Sequence, residues 1–108
     1  MAENKVKPVL VKDVEVGGGR LAVVAGPCAL ESLELSLSIA REMKKLCAEF
    51  NFGYIFKASF DKANRTSINS YRGPGIKQGL EWLSIIRREA GVPVVTDMHE
   101  PWQAEQIE

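Results

Sequence analysis

The chain has no apolar run approaching the ~20 residues that a membrane-spanning helix needs. Its first residues, Met1-Ala2-Glu3-Asn4-Lys5, lack the apolar core of a secretion signal. Cysteine is scarce. Cys28 and Cys47 are the only two, too few for a disulfide framework. These absences point to a reducing, cytoplasmic setting and away from a membrane. Net charge is missing too, because 14 basic and 14 acidic side chains cancel. A general nucleic-acid binder carries a broad basic face, so this balance argues against that class. There is no internal repeat and no low-complexity tract. What is present, 45% apolar and 26% charged residues over 108 positions, is the composition of one small soluble domain.

The apolar pattern then sets an element order. Val9, Val11, Val14 and Val16 flank Lys12-Asp13, which predicts a short hairpin over residues 7–16. Gly17-Gly18-Gly19 follows as a flexible joint, so residues 1–19 read as one N-terminal unit. Residues 21–25, Leu-Ala-Val-Val-Ala, are apolar without alternation and predict a strand buried on both faces. Ser32 is a helix N-cap candidate with Glu34 in the first turn. Leu35, Ile39, Met43, Leu46 or Cys47, and Phe50 recur at helical spacing and predict the buried stripe of that helix. A second strand is expected over residues 53–58. Pro74 opens a second helix with stripe Ile76, Leu80, Leu83, Ile86 and Ala90, and Gly91 stops it. A third strand covers residues 92–97, and Pro101 begins a third helix. After the hairpin the order is β-α-β-α-β-α with short connections. That predicts parallel strands covered by helices, with chemistry beyond the carboxyl ends of the strands.

The unusual residues fall at those ends: Cys28 after the first strand, a basic loop after the second, Asp97 and His99 after the third. Residues 53–77 hold five cations (Lys57, Lys62, Arg65, Arg72 and Lys77) against one acid, Asp61. Such a cluster makes a local positive field that the balanced whole-chain charge conceals. Ser59, Asn64, Thr66 and Ser67 are interleaved with it, a mixture suited to phosphate and carboxylate oxygens. The plainer readings stand beside this one. Cys28 can be a small residue closing a strand, and Cys47 belongs to a helix stripe and its core. Asp97 can cap a helix. His99, the single histidine, can be a packed and hydrogen-bonded one. Trp82 and Trp102 suit packing or an interface. Arg72 can tie its own loop down instead of meeting a ligand.

The run Phe56-Lys57-Ala58-Ser59-Phe60-Asp61-Lys62-Ala63-Asn64-Arg65-Thr66-Ser67, with Ser70-Tyr71-Arg72-Gly73-Pro74-Gly75, resembles 3-deoxy-D-manno-octulosonate 8-phosphate synthase (KDO8P synthase, also 2-dehydro-3-deoxyphosphooctonate aldolase). Ala25-Gly26-Pro27-Cys28, Glu31-Ser32 and Thr96-Asp97-Met98-His99-Glu100-Pro101 match the same family. Gly-Pro-Cys alone is shared with the sister DAHP synthases; the long run separates the two. The resemblance implies that residues 20–108 are about three βα units from the N-terminal portion of a (β/α)₈ TIM barrel, a fold of ~250 residues. It implies condensation of phosphoenolpyruvate with arabinose 5-phosphate, a step of lipopolysaccharide biosynthesis. Lys57 and Lys62 would contact phosphoenolpyruvate, and Asn64, Arg65 and Thr66 would hold arabinose 5-phosphate. Asp97 would lie near the reacting sugar, with Lys62 and Asp97 as the catalytic candidates. Cys28 stands where metal-dependent members carry cysteine. That implies a divalent ion (zinc, iron or manganese) whose other ligands come from later strands, and a homotetramer at full length. Asn69 stands where the family usually has histidine. The alternatives are a DAHP synthase using erythrose 4-phosphate, or an inactive truncated remnant. In either case the 108 residues alone are expected to be inactive.

Overall fold

The computed structural model describes residues 6–62, 69 and 71–108. Strands β1 (Val9–Val11) and β2 (Val14–Val16) form the expected antiparallel hairpin, with Val11 opposite Val14. Its two-residue turn puts Lys12 at φ 58°, the left-handed conformation that such tight turns require. Strand β3 (Ala22–Ala25), helix α1 (Leu33–Glu49), strand β4 (Gly53–Lys57), helix α2 (Ile76–Ile86), strand β5 (Val94–Val95) and helix α3 (Gln103–Ile107) follow in order. The three later strands make a parallel sheet in the order β3-β4-β5, with Val24 opposite Ile55 and Phe56 opposite Val94.

Local chemistry accounts for the boundaries. The Ser32 side chain accepts a hydrogen bond from the Leu35 amide at 3.1 Å and caps α1, with Glu34 in the first turn. At the other end Asn51 adopts φ 57°. The Phe52 amide there donates to Cys47 O and the Asn51 amide to Ala48 O, a left-handed stop that satisfies the last carbonyls. Arg20 reaches across from the strand side and donates to Asn51 O and Phe52 O at 2.7 and 3.1 Å. Helix α2 does not run straight to Gly91. It loosens into a π turn over Arg87–Gly91, which holds Arg87 and Arg88. Gly91 ends this turn at φ 67°. Lys44 of α1 donates to Ala90 O in this turn at 3.2 Å.

The core lies on one face of the sheet. Tyr54 and Phe56, two positions apart on β4, point to the same side and meet Ala40 and Cys47 of α1 together with Leu83 and Ile86 of α2. Two expectations are corrected. Strand β3 is not buried on both faces: Val24 is 51% exposed, because both helices cover the opposite side of the sheet. The expected stripe of α1 holds only in part: Ile39 and Met43 pack against the core and Cys47 lies within it. Ser36, Ala40 and Cys47 are buried, whereas Leu35, Leu46 and Phe50 are exposed. Small side chains let the helix backbone approach the sheet, so the largest apolar residues are displaced to its flank. Cys47 is core, as its place on the helix suggested. The α2 stripe holds, with Leu83, Ile86 and Ala90 buried and Ile76 and Leu80 partly so.

Tyr54 gives this core a pH signature. Its side chain is buried, and its hydroxyl donates to Ala25 O at 2.8 Å. Burial, with Cys47 adding a smaller electrostatic effect, pushes the phenol up to about 12. The unfolded phenol ionises near 10.0, so its folded partner holds a proton longer. The resulting stability is fully present below pH 10.0 and is lost as pH rises through about 12. Tyr54→Phe is expected to remove this part of the alkaline decline in denaturation midpoint, together with a late step in tyrosinate absorbance. An unchanged alkaline profile in the variant would refute the assignment.

Candidate active site

The three loops at the carboxyl ends of β3, β4 and β5 are joined by named contacts. The first join is a bulge. Strand pairing runs to Ala25 opposite Phe56 and resumes at Ala29 opposite Ser59, so the β3 side carries one extra residue. The Ser59 amide donates to Cys28 O at 3.2 Å, and the Leu30 amide to Ser59 O at 3.1 Å. Gly26 makes the bulge feasible: a Cβ there would lie 1.9 Å from Lys57 O. The outcome is that Ala29 and Leu30 are buried while Cys28 is turned out to solvent. Cys28, Lys57 and Lys62 line one cleft of about 220 Å³, together with Val24, Gly26 and Ala58.

The second join closes the basic loop at its stem. Arg72 meets Asp61 in a bidentate pair, Nε to Oδ1 at 2.6 Å and the terminal nitrogen to Oδ2 at 3.3 Å. The hydrogen bond to Asp61, then its charge, holds the Arg72 guanidinium above its ordinary range. The Lys62 amide donates to Arg72 O, and the Gly75 amide to Phe60 O at 3.0 Å. The Tyr71 hydroxyl donates to Leu30 O at 3.1 Å and fastens this stem to the first loop. Arg72 therefore ties its loop down, the plainer of the two readings. Asn64, Arg65 and Thr66 lie outside the described residues.

The third join is aromatic. Phe60, which is buried, meets the His99 ring edge-on with centroids 5.7 Å apart. His99 Nε2 is 3.9 Å from Asp97 Oδ2, while Asp97 Oδ1 is buried without a hydrogen-bond partner among the described residues. An unpaired buried carboxylate oxygen is costly in a folded chain and marks a place where a donor belongs. The loops thus bring the thiol and two lysines together in one cleft, and Asp97 is not among the residues that line it. Gln103 was not anticipated, and the run Glu100-Pro101-Trp102-Gln103 carries no capping box that would have pointed to it. Trp102 is 57% exposed, so it does not belong to the core.

Among the described residues no three His, Cys, Asp or Glu side chains converge as metal ligands. Cys28 offers one donor, so these residues do not by themselves make a metal site. Among the described residues, too, no helix is long and apolar enough to cross a membrane.

A family model described as the DAHP synthetase I family matches residues 3–108. The chain belongs to that family. Its relatives in this family include a 2-dehydro-3-deoxyphosphooctonate aldolase from Fusobacterium nucleatum, 47% identical over 108 residues, which are 99% of this chain and 39% of that protein. The aldolase of the same name from Koribacter versatilis is 48% identical over 99 residues, 92% of this chain and 36% of that protein. That from Desulfotalea psychrophila is 52% identical over 89 residues, 82% of this chain and 32% of that protein. The chain therefore spans about two fifths of the length of the curated relatives it matches.

Proposed function

We propose that these residues are the N-terminal part of a KDO8P synthase, which condenses phosphoenolpyruvate with arabinose 5-phosphate and water to KDO8P and phosphate. The observation that carries this reading is the cleft shared by Cys28, Lys57 and Lys62 at the carboxyl end of a parallel sheet. The names borne by the relatives support it. Two helices on one face of a sheet whose strands follow chain order support a single-wound barrel over a doubly wound sheet, which is covered on both faces. In that reading residues 1–19 are the hairpin and joint, and residues 20–108 are the first three βα units.

The reaction brings two phosphorylated anions side by side. Lys57 and Lys62 offset their repulsion and hold the phosphoenolpyruvate carboxylate and phosphate. Asn64, Arg65 and Thr66 hold the sugar phosphate. The C3 carbon of the enol attacks the aldehyde, positive character develops at C2, water adds there, and the C–O bond to phosphate breaks. Asp97 accepts a hydrogen bond from a hydroxyl of the sugar, a role supported by its Oδ1, which has no hydrogen-bond partner among the described residues. Cys28 would hold one side of a divalent ion whose other ligands come from the rest of the barrel, and that ion would supply Lewis acidity beside the aldehyde. The enzyme works in the cytoplasm, as a homotetramer.

The test is a substrate comparison on the complete coding frame that contains this chain. Phosphoenolpyruvate is expected to be consumed with arabinose 5-phosphate and spared with erythrose 4-phosphate. The purified 108-residue chain is expected to consume it with neither sugar. Preference for erythrose 4-phosphate would make the protein a DAHP synthase and overturn the reading.

A further inference from the structure

Gln103 is a buried polar side chain whose bonds do not serve its own helix alone. Its Oε1 accepts from the His99 amide at 2.8 Å and from the Glu100 amide at 3.1 Å. Its own amide donates to Glu100 O at 3.0 Å. The bond to Glu100 joins the side chain to the residue three positions back, ahead of the helix. The bond to His99 reaches further, into the segment that carries Asp97. His99 is thereby held at both ends: its backbone by Gln103, its ring by the edge contact with Phe60. With ring and backbone both held, Nε2 lies 3.9 Å from Asp97 Oδ2, and Asp97 Oδ1 is buried with no hydrogen-bond partner among the described residues.

We propose that Gln103 is a positioning residue for the condensation. By clamping the His99 and Glu100 amides it keeps Asp97 aimed at the sugar. This rests on the synthase reading, with Asp97 beside the sugar and Lys57 and Lys62 on phosphoenolpyruvate. It predicts a split between kinetic constants, because the lysines line a cleft that Gln103 does not touch.

The experiment compares Gln103→Ala and Gln103→Glu in the complete enzyme. The alanine variant is expected to lose about 10²-fold in kcat, the scale of a small misplacement of a reacting group, with KM for phosphoenolpyruvate within about twofold of the parent. The glutamate variant keeps an acceptor for both amides and is expected to stay within about threefold of the parent kcat. Parent-like kcat in Gln103→Ala overturns the proposal. So does an equal loss in both variants accompanied by an equal fall in Tm, which marks a purely structural residue. Amide hydrogen exchange read on the same proteins separates this proposal from the function it rests on. If the parent consumes no phosphoenolpyruvate with arabinose 5-phosphate, the functional reading fails. The clamp itself then stands if the His99 and Glu100 amides exchange faster in Gln103→Ala than in the parent, and falls if they do not.

Discussion

Lys62→Ala in the complete enzyme is expected to lower kcat/KM for phosphoenolpyruvate by about 10²–10³-fold, the cost of removing one preorganised group that stabilises developing charge. Lys62 shares its cleft with Lys57, and its amide is fixed by Arg72 O at the stem of the loop. The ammonium group is thus carried on a backbone that is already in place before substrate arrives. Two phosphorylated substrates repel each other most strongly when water is excluded, which is when a nearby cation counts most. Lys77→Ala is the control. Lys77 belongs to the same basic stretch but lies exposed on the first turn of α2, outside the cleft, and its loss is expected to change the rate less than about twofold. If both variants behave alike, the effect belongs to the general positive field and not to a placed contact. If Lys62→Ala turns over at the parent rate, Lys62 does not belong to the site.

Signals that act over a few residues were legible in the sequence. Ser32 and Gly91 bound their helical segments through a local hydrogen bond and backbone conformation, and each does so in the structure. The hairpin at Lys12-Asp13 and the parallel order of β3, β4 and β5 followed from patterns of the same short range. The buried face of α1 was legible only in part, at Ile39, Met43 and Cys47. Periodicity picks out large apolar side chains such as Leu35 and Leu46, whereas the sheet selects for close approach and takes Ser36 and Ala40. Ser36 shows the limit well, since its hydroxyl is buried, without a partner among the described residues, in a place where an apolar pattern would never put it. The site was legible as residue types at strand ends. Its wiring was not, because Tyr71 to Leu30, Phe60 to His99 and Gln103 to His99 are contacts between loops. Only the folded sheet decides which loops meet. Arg72 is the case in point: one of five cations by sequence, it is spent on Asp61.

Gly26→Ala is the substitution expected to damage this wiring most, by about 3 kcal/mol, at the upper end of what forced overpacking costs. The added Cβ would fall 1.9 Å from Lys57 O and 2.9 Å from its carbonyl carbon. Both atoms are backbone in β4, at the point where that strand presents Lys57 to the cleft, so neither can swing away. Relief must come from separating the ends of β3 and β4. That breaks the bonds from Ser59 to Cys28 and from Leu30 to Ser59, and with them the bulge that turns Cys28 outward. Gly18→Ala is the matching control. Its Cβ would meet Glu15 Oε1 at 1.7 Å, a worse number on paper, but that atom is the far end of a flexible, exposed side chain. It is expected to cost well under about 1 kcal/mol. Denaturant midpoints read the difference, and thiol labelling locates it. In Gly26→Ala the labelling rate of Cys28 should change under native conditions while buried Cys47 stays protected. Equal midpoints for the two variants would mean that the join between β3 and β4 yields easily, and the shared cleft of Cys28, Lys57 and Lys62 would lose its structural basis. A shifted midpoint with unaltered Cys28 labelling would place the strain elsewhere in the sheet and leave the bulge intact.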